Sequence, residues 1–305
     1  MSRKDPVVPR FGPVVTAMAT PFTEDGALDL DGAQRLADHL LSNGTSTVLL
    51  VGTTGESPTL VGEEPWQLLR AVKQVAAGRG TVMIGTGSNA TAKTVTTTAR
   101  ATQEGVDGIL LVTPYYNRPS QAGLFAHFTA AAVATDLPCV VYDVPSRTAR
   151  EIESETLLEL SAVANIVGVK DAAGNPAKTA RTVRETRHAT GGFDVWCGDD
   201  ALNLAMLDAG AVGFVSVSAH LCGNELDEMA RLHPDEPDKA AAIHERLLPL
   251  HRALFADPSP GPLKGALSRL GLPAGPMRLP MVASPDHVVD DVLAALDAAG
   301  VERPS

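Results

Sequence analysis

A chain of 305 residues, 44% hydrophobic and 20% charged, can bury a large core, enough for one large domain or for a domain with an appendage. Its formal net charge of −11 and its lack of any Lys/Arg run exclude a nucleic-acid surface, and no apolar stretch is long enough to span a bilayer. The opening MSRKDPVVPRFG has no apolar segment behind its basic residues, so no signal peptide is expected, and three scattered cysteines (Cys139, Cys197, Cys222) fit a reduced, cytoplasmic protein without disulfides or zinc.

From Val14 to about Leu232, β-branched runs alternate with amphipathic helical stretches. Residues 14–22, 46–52, 81–87 and 108–114 read as four strands, and 139–145, 166–172, 194–200 and 211–220 as four more. Most are near-continuous apolar runs, the pattern of parallel strands buried on both faces. Helical patterns such as 33–43, 63–78 and 120–136 lie between them, and the strand spacing of about 30 residues matches one βα unit each. Eight such units predict a closed (β/α)8 barrel of the TIM type. A doubly wound open sheet is the alternative, but its glycine-rich first turn is missing here, where the chain reads TPFTEDG. GTGSNAT (85–91) lacks the third glycine of a dinucleotide fingerprint and reads as another strand-end loop. From Asn224 onward only helical patterns follow, over 236–256, 262–270 and 286–299. The expected organisation is a barrel with an N-terminal tail over 1–223 and a helical C-terminal region over 224–305. Lys264, in PLKGALSRL, is expected on the solvated face of its helix, and Lys178 reads as one more lysine of a polar helical stretch.

Active sites of such barrels form at the carboxyl ends of the strands. The sixth run, IVGVK, ends in Lys170, and a strand-end lysine by itself is usually a solvated boundary residue. Buried, however, it lowers its desolvation cost by losing its proton, and a neutral lysine attacks carbonyl carbon. The fifth run ends in YDVPSRT, which brings a phenol, Tyr142, to the neighbouring strand and an arginine, Arg147, to the loop. Tyr142 can shuttle a proton during carbinolamine formation, and Arg147 can hold a carboxylate bidentately. The second run ends in GTTGES, where backbone N–H groups and the hydroxyls of Thr53 and Thr54 can receive a carboxylate. Gly52, Gly55 and Gly198 permit close approach of backbone and substrate. Each feature has an ordinary structural explanation: a turn, a packed tyrosine, a surface arginine. His220 reads as a structural strand-end histidine, and Asp143, Asp171, Asp199 and Asp200 do not show defensible metal-ligand spacing. Together the strand ends point to Schiff-base chemistry on a small anionic carbonyl compound.

GTTGES, TPYYNRPS, YDVPSRT and VKDAAGN, in this order and spacing, resemble the dihydrodipicolinate synthase/N-acetylneuraminate lyase family, and the resemblance runs to RLPMVAS (278–284). It implies a pyruvate-dependent, class I aldolase-type lyase in which Lys170 forms an imine with pyruvate, without metal or other cofactor. The enamine would add to L-aspartate 4-semialdehyde, giving 4-hydroxy-tetrahydrodipicolinate for lysine and diaminopimelate biosynthesis. Thr53, Tyr142 and Tyr116 match the family's proton relay, Thr54 its pyruvate-carboxylate contact, and Arg147 its contact to the semialdehyde carboxylate. Gly198 and Val215 match backbone positions lining the pocket. The tyrosine matching Tyr116 serves a neighbouring subunit's site, which implies a homo-oligomer, a dimer or a homotetramer. Relatives that cleave 2-keto-3-deoxy sugar acids or N-acetylneuraminate are the alternative; they generally lack the Pro-Ser-Arg-Thr ending. At the positions that contact inhibitory lysine in some members, this chain carries Gly62, Pro65 and Lys93, so weak or absent inhibition by lysine is expected.

Overall fold

The computed structural model describes residues 9–189 and 191–303. Eight parallel strands close into a ring in chain order: β1 (Val14–Ala17), β2 (Thr47–Leu50), β3 (Thr81–Gly85), β4 (Gly108–Val112), β5 (Cys139–Asp143), β6 (Ile166–Asp171), β7 (Asp194–Cys197) and β8 (Gly213–Ser216). Closure comes from the pairing of Val15 in β1 with Val215 in β8. The barrel helices are α1 (Leu30–Ser42), α2 (Glu64–Ala76), α3 (Thr91–Gln103), α4 (Gln121–Val133), the short α5 (Pro145–Thr148), α6 (Ser154–Leu160), α7 (Pro176–Thr186) and α8 (Asn203–Asp208). Then come α9 (Ala219–Leu232), α10 (Pro237–Ala253), α11 (Gly261–Arg269) and α12 (Asp286–Ala298).

The apolar runs are continuous because alternate residues serve two cores. Val15, Leu49, Met83, Leu110, Val140 and Val215 point into the barrel, where the Phe11 and Trp196 rings meet at a tilt of 49° with centroids 5.9 Å apart. Val14, Val48, Ile84, Ile109, Val141 and Phe214 point outward, under the helices. Loops also set the helix starts. The Asn175 side chain accepts from the N–H of Lys178 at the start of α7, just after β6, and Pro176 needs no N–H partner there.

The strands are shorter than the apolar runs. The first ends at Ala17, not at Phe22, and the eighth at Ser216, with His220 already inside α9. Met18, Ala19 and Val217 stay buried after the ladder stops, so hydrophobicity outlasts pairing. Helix α9 runs across the expected 223/224 boundary, with a break in its backbone at Cys222 (φ −138°, ψ 38°).

Two lysines differ from expectation. Lys264 is 2% exposed, because α11 is buried over most of its circumference. Its Nζ lies 2.7 Å from Glu56 Oε1, a partner 208 residues away in sequence. Lys178 is also buried and donates to Asp143 Oδ2 at 2.6 Å and to Glu151 Oε1 at 2.9 Å.

Candidate active site

Lys170 is the fifth residue of β6, in register with Tyr142 on β5 and Trp196 on β7. It is 6% exposed, and its Nζ stands 4.2 Å from the centroid of the Tyr142 ring. Burial pulls the Lys170 amine down from 10.5 to about 8; Asp200 opposes this, and Arg147 adds to it. A useful fraction is therefore free amine near neutral pH, as a nucleophile requires. Burial pushes the Tyr142 phenol up to about 12, with Arg147 opposing, so the ring keeps its proton and can both donate and accept.

The room for the lysine side chain comes from Gly198, directly after β7. A Cβ there would stand 3.0 Å from both Cε and Cγ of Lys170. The Gly198 N–H donates to the Asp171 carbonyl at 2.8 Å, which keeps the loop against β6.

In a ring of eight strands β2 stands opposite β6, so the turn after β2 faces Lys170 across the barrel mouth. Thr54 is buried and Thr53 half-buried in that turn. The Glu56 N–H closes it by donating to the Thr53 carbonyl at 3.0 Å, and the Thr20 hydroxyl donates to the Gly55 carbonyl at 2.7 Å. Arg147 lies in α5, exposed at the end of β5, and its charge acts on both Lys170 and Tyr142. Val215 of β8 sends its side chain into the barrel interior beside Val15. Lys170, Tyr142 and Gly198 are thus in direct contact or register. Tyr116 is not part of that cluster: it stands 90% exposed on the loop after β4, with a left-handed backbone (φ +74°).

One residue near the amine has no role in the sequence reading. Asp200 is buried, accepts from the N–H groups of Val217 and Ser218 at 2.9 and 3.0 Å, and is the main charge opposing the loss of the Lys170 proton. The sequence signal was the second aspartate of CGDD, directly after a strand and beyond any metal spacing. The other aspartates are occupied: Asp143 by Lys178, Asp171 by the Thr179 hydroxyl, and Asp199 by the N–H of Ala201. His220 accepts the Ala19 N–H on Nε2 (3.0 Å) and donates from Nδ1 to the Val217 carbonyl (2.8 Å). Burial draws its pKa down to about 4, so it is a neutral strut between the segment after β1 and α9. An open groove outside the barrel, lined by Glu151, Glu155, Lys178 and Arg181, already has its cations paired with carboxylates.

A buried amine beside a protonated phenol, with a hydroxyl turn opposite and an arginine at the rim, is the equipment of an imine-forming enzyme. The model of the dihydrodipicolinate synthetase family matches residues 10–299. The chain belongs to this family. It is 45% identical to 4-hydroxy-tetrahydrodipicolinate synthase of Moorella thermoacetica over 96% of this chain and 99% of that one. Among solved structures, a dihydrodipicolinate synthase from Bacillus anthracis superposes with a TM-score of 0.90 at 40% identity, covering 95% of this chain and 99% of that chain. The enzyme from Cyanidioschyzon merolae, solved with lysine bound, superposes with a TM-score of 0.92 at 40% identity, covering 96% of this chain and 99% of that chain.

Proposed function

We infer that the protein is a lyase that condenses pyruvate with L-aspartate 4-semialdehyde to 4-hydroxy-tetrahydrodipicolinate, a step of lysine and diaminopimelate biosynthesis. The observation that carries this is the buried Lys170 amine, 4.2 Å from the Tyr142 ring, in a chain whose relatives at about 45% identity are synthases over their full length. Cleavage of a sugar acid or of N-acetylneuraminate is not favoured by any of these relatives.

The free Lys170 amine adds to the pyruvate ketone, and Tyr142 passes the protons that turn the carbinolamine into imine plus water. Loss of a methyl proton gives the enamine, whose carbon adds to the aldehyde. The amine of the semialdehyde portion then attacks the imine carbon, closes the ring and releases Lys170. The imine is the electron sink, so the scheme requires neither metal nor other cofactor. Thr54 receives the pyruvate carboxylate, Thr53 continues the proton path, and Arg147 holds the carboxylate of the semialdehyde. Gly198 and Val215 line the pocket with backbone. Tyr116 completes the relay in a neighbouring subunit, which makes the working unit a homo-oligomer, a dimer or tetramer, in the cytoplasm. Its exposure and its turn at the barrel rim support this reading.

The test is pyruvate consumption by the purified protein with and without L-aspartate 4-semialdehyde, beside borohydride reduction and mapping of the labelled lysine. Semialdehyde-dependent loss of pyruvate with label at Lys170 is expected. Label at another lysine refutes the assignment, and a Lys170 adduct without semialdehyde-dependent loss moves the acceptor to another aldehyde.

A further inference from the structure

The turn carrying Thr53 and Thr54 is held by the far end of the chain. Glu56 is buried with a left-handed backbone (φ +52°), two residues after Thr54. Its Oε1 accepts from Lys264 Nζ at 2.7 Å, and its Oε2 accepts from the backbone N–H of Arg278 at 3.0 Å. The other two protons of the Lys264 ammonium go to the carbonyls of Thr20 (3.1 Å) and Pro276 (2.8 Å), while the Phe22 ring centroid lies 4.5 Å from Nζ. Thr20 in turn fixes the Gly55 carbonyl. Arg278 adds a bidentate pair with Glu64 at 2.6 Å and a bond to the Thr59 carbonyl at 2.9 Å. The segment between Lys264 and Arg278 presses on the β1–α1 loop so closely that a Cβ on Gly275 (φ +68°) would stand 1.7 Å from the Phe22 carbonyl oxygen.

A buried ion pair is a weak device for stability, since desolvation offsets much of the attraction. What it does supply is geometry. All three ammonium protons and both carboxylate oxygens have fixed partners, and the pair and those partners lie on four separate stretches of chain: Thr20, the turn after β2, Lys264 in α11, and Pro276–Arg278. We propose that the Glu56–Lys264 pair positions the Thr53–Thr54 turn, so that α11, outside the barrel, sets the affinity of the site for the carboxylate of its keto-acid substrate. This rests on the reading of Thr54 as the carboxylate contact. Lys264 and Glu56 are positioning residues, because neither reaches the reacting atoms.

The native protein, Lys264→Met, Glu56→Gln and the double variant are incubated with graded pyruvate without semialdehyde, then reduced with borohydride, and the Lys170 adduct is counted by mass spectrometry. The pyruvate concentration giving half the adduct is expected to rise about tenfold in each single variant, which strands a buried charge, and less in the neutral double variant. The KM for the semialdehyde should stay within about twofold, because Arg147 stands on a different loop. A variant that keeps its circular dichroism and melting transition, yet shows native half-saturation, overturns the proposal. Thr20→Val is the milder probe. It frees only the Gly55 carbonyl and is expected to raise half-saturation about threefold, the size of one lost neutral hydrogen bond. Should the ion-pair variants fail to fold, an unmoved Thr20→Val decides against the proposal. A native protein that gives no Lys170 adduct refutes the reading of the site and this inference with it, whereas a native adduct with unmoved variants refutes the inference alone.

Discussion

At the scale of single residues, the burial of Lys170 fixes how the reaction answers to pH. Below about 8 most of the amine holds its proton and only the minor free fraction can attack; above it the free amine is the main form. At low pyruvate, the rate of adduct formation is expected to climb about tenfold per pH unit up to about 8 and then flatten. A climb that continues towards 10.5 would describe a solvated lysine. The role proposed for Arg147 separates the two half-reactions: Arg147→Ala should raise the KM for the semialdehyde at least about tenfold, as expected for a lost charge-assisted bidentate contact, and leave pyruvate capture within about threefold. Equal loss in both steps, measured by steady-state kinetics beside trapping, would make Arg147 structural.

The secondary elements were largely legible because each strand of a parallel barrel is buried on both faces and so announces itself as an unbroken apolar run. Their ends were less legible, since Met18, Ala19 and Val217 extend the runs past the last paired residue. Lysine burial was legible only where it follows from the strand itself, as at Lys170. Lys264 and Lys178 sit in helices of mixed polarity, and their partners Glu56 and Asp143 lie 208 and 35 residues away, beyond any local pattern. We propose to retain the division into a barrel and a helical region at 223/224, beside the backbone break at Cys222 in α9. The loop after β7 carries its own prediction. Gly198→Ala sets a methyl 3.0 Å from Cε and Cγ of Lys170, so the side chain must shift while the loop backbone is unstrained. Adduct formation should slow about tenfold with the melting temperature nearly unchanged, which is the scale of effect for a misplaced nucleophile.

On the scale of the whole molecule, the exposed Tyr116 requires a neighbour if it is to act. Mixing inactive Lys170→Ala with the impaired Tyr116→Phe and letting subunits exchange should restore activity, because a hybrid holds one site with both native groups. Recovery that never exceeds the sum of the separate activities would keep each site within one chain. Lysine sensitivity tests another surface. The Cyanidioschyzon merolae enzyme was solved with lysine bound; in this chain Lys93, which the family resemblance implies stands at an effector position, is exposed at the start of α3. Sub-millimolar lysine is expected to leave the rate unchanged in a coupled assay, and clear inhibition would show that Lys93 does not meet the effector.

The link from α11 to the turn after β2 also bears on the order in which the protein comes into being. A chain made from its N-terminus completes the last barrel strand at Ser216, well before Lys264 and Arg278 are added. During that interval Glu56 has no ammonium to receive it, and the threonine turn is held only by its own closing bond and by Thr20. The turn opposite Lys170 therefore receives its ion-pair partner only after every strand of the barrel has been made.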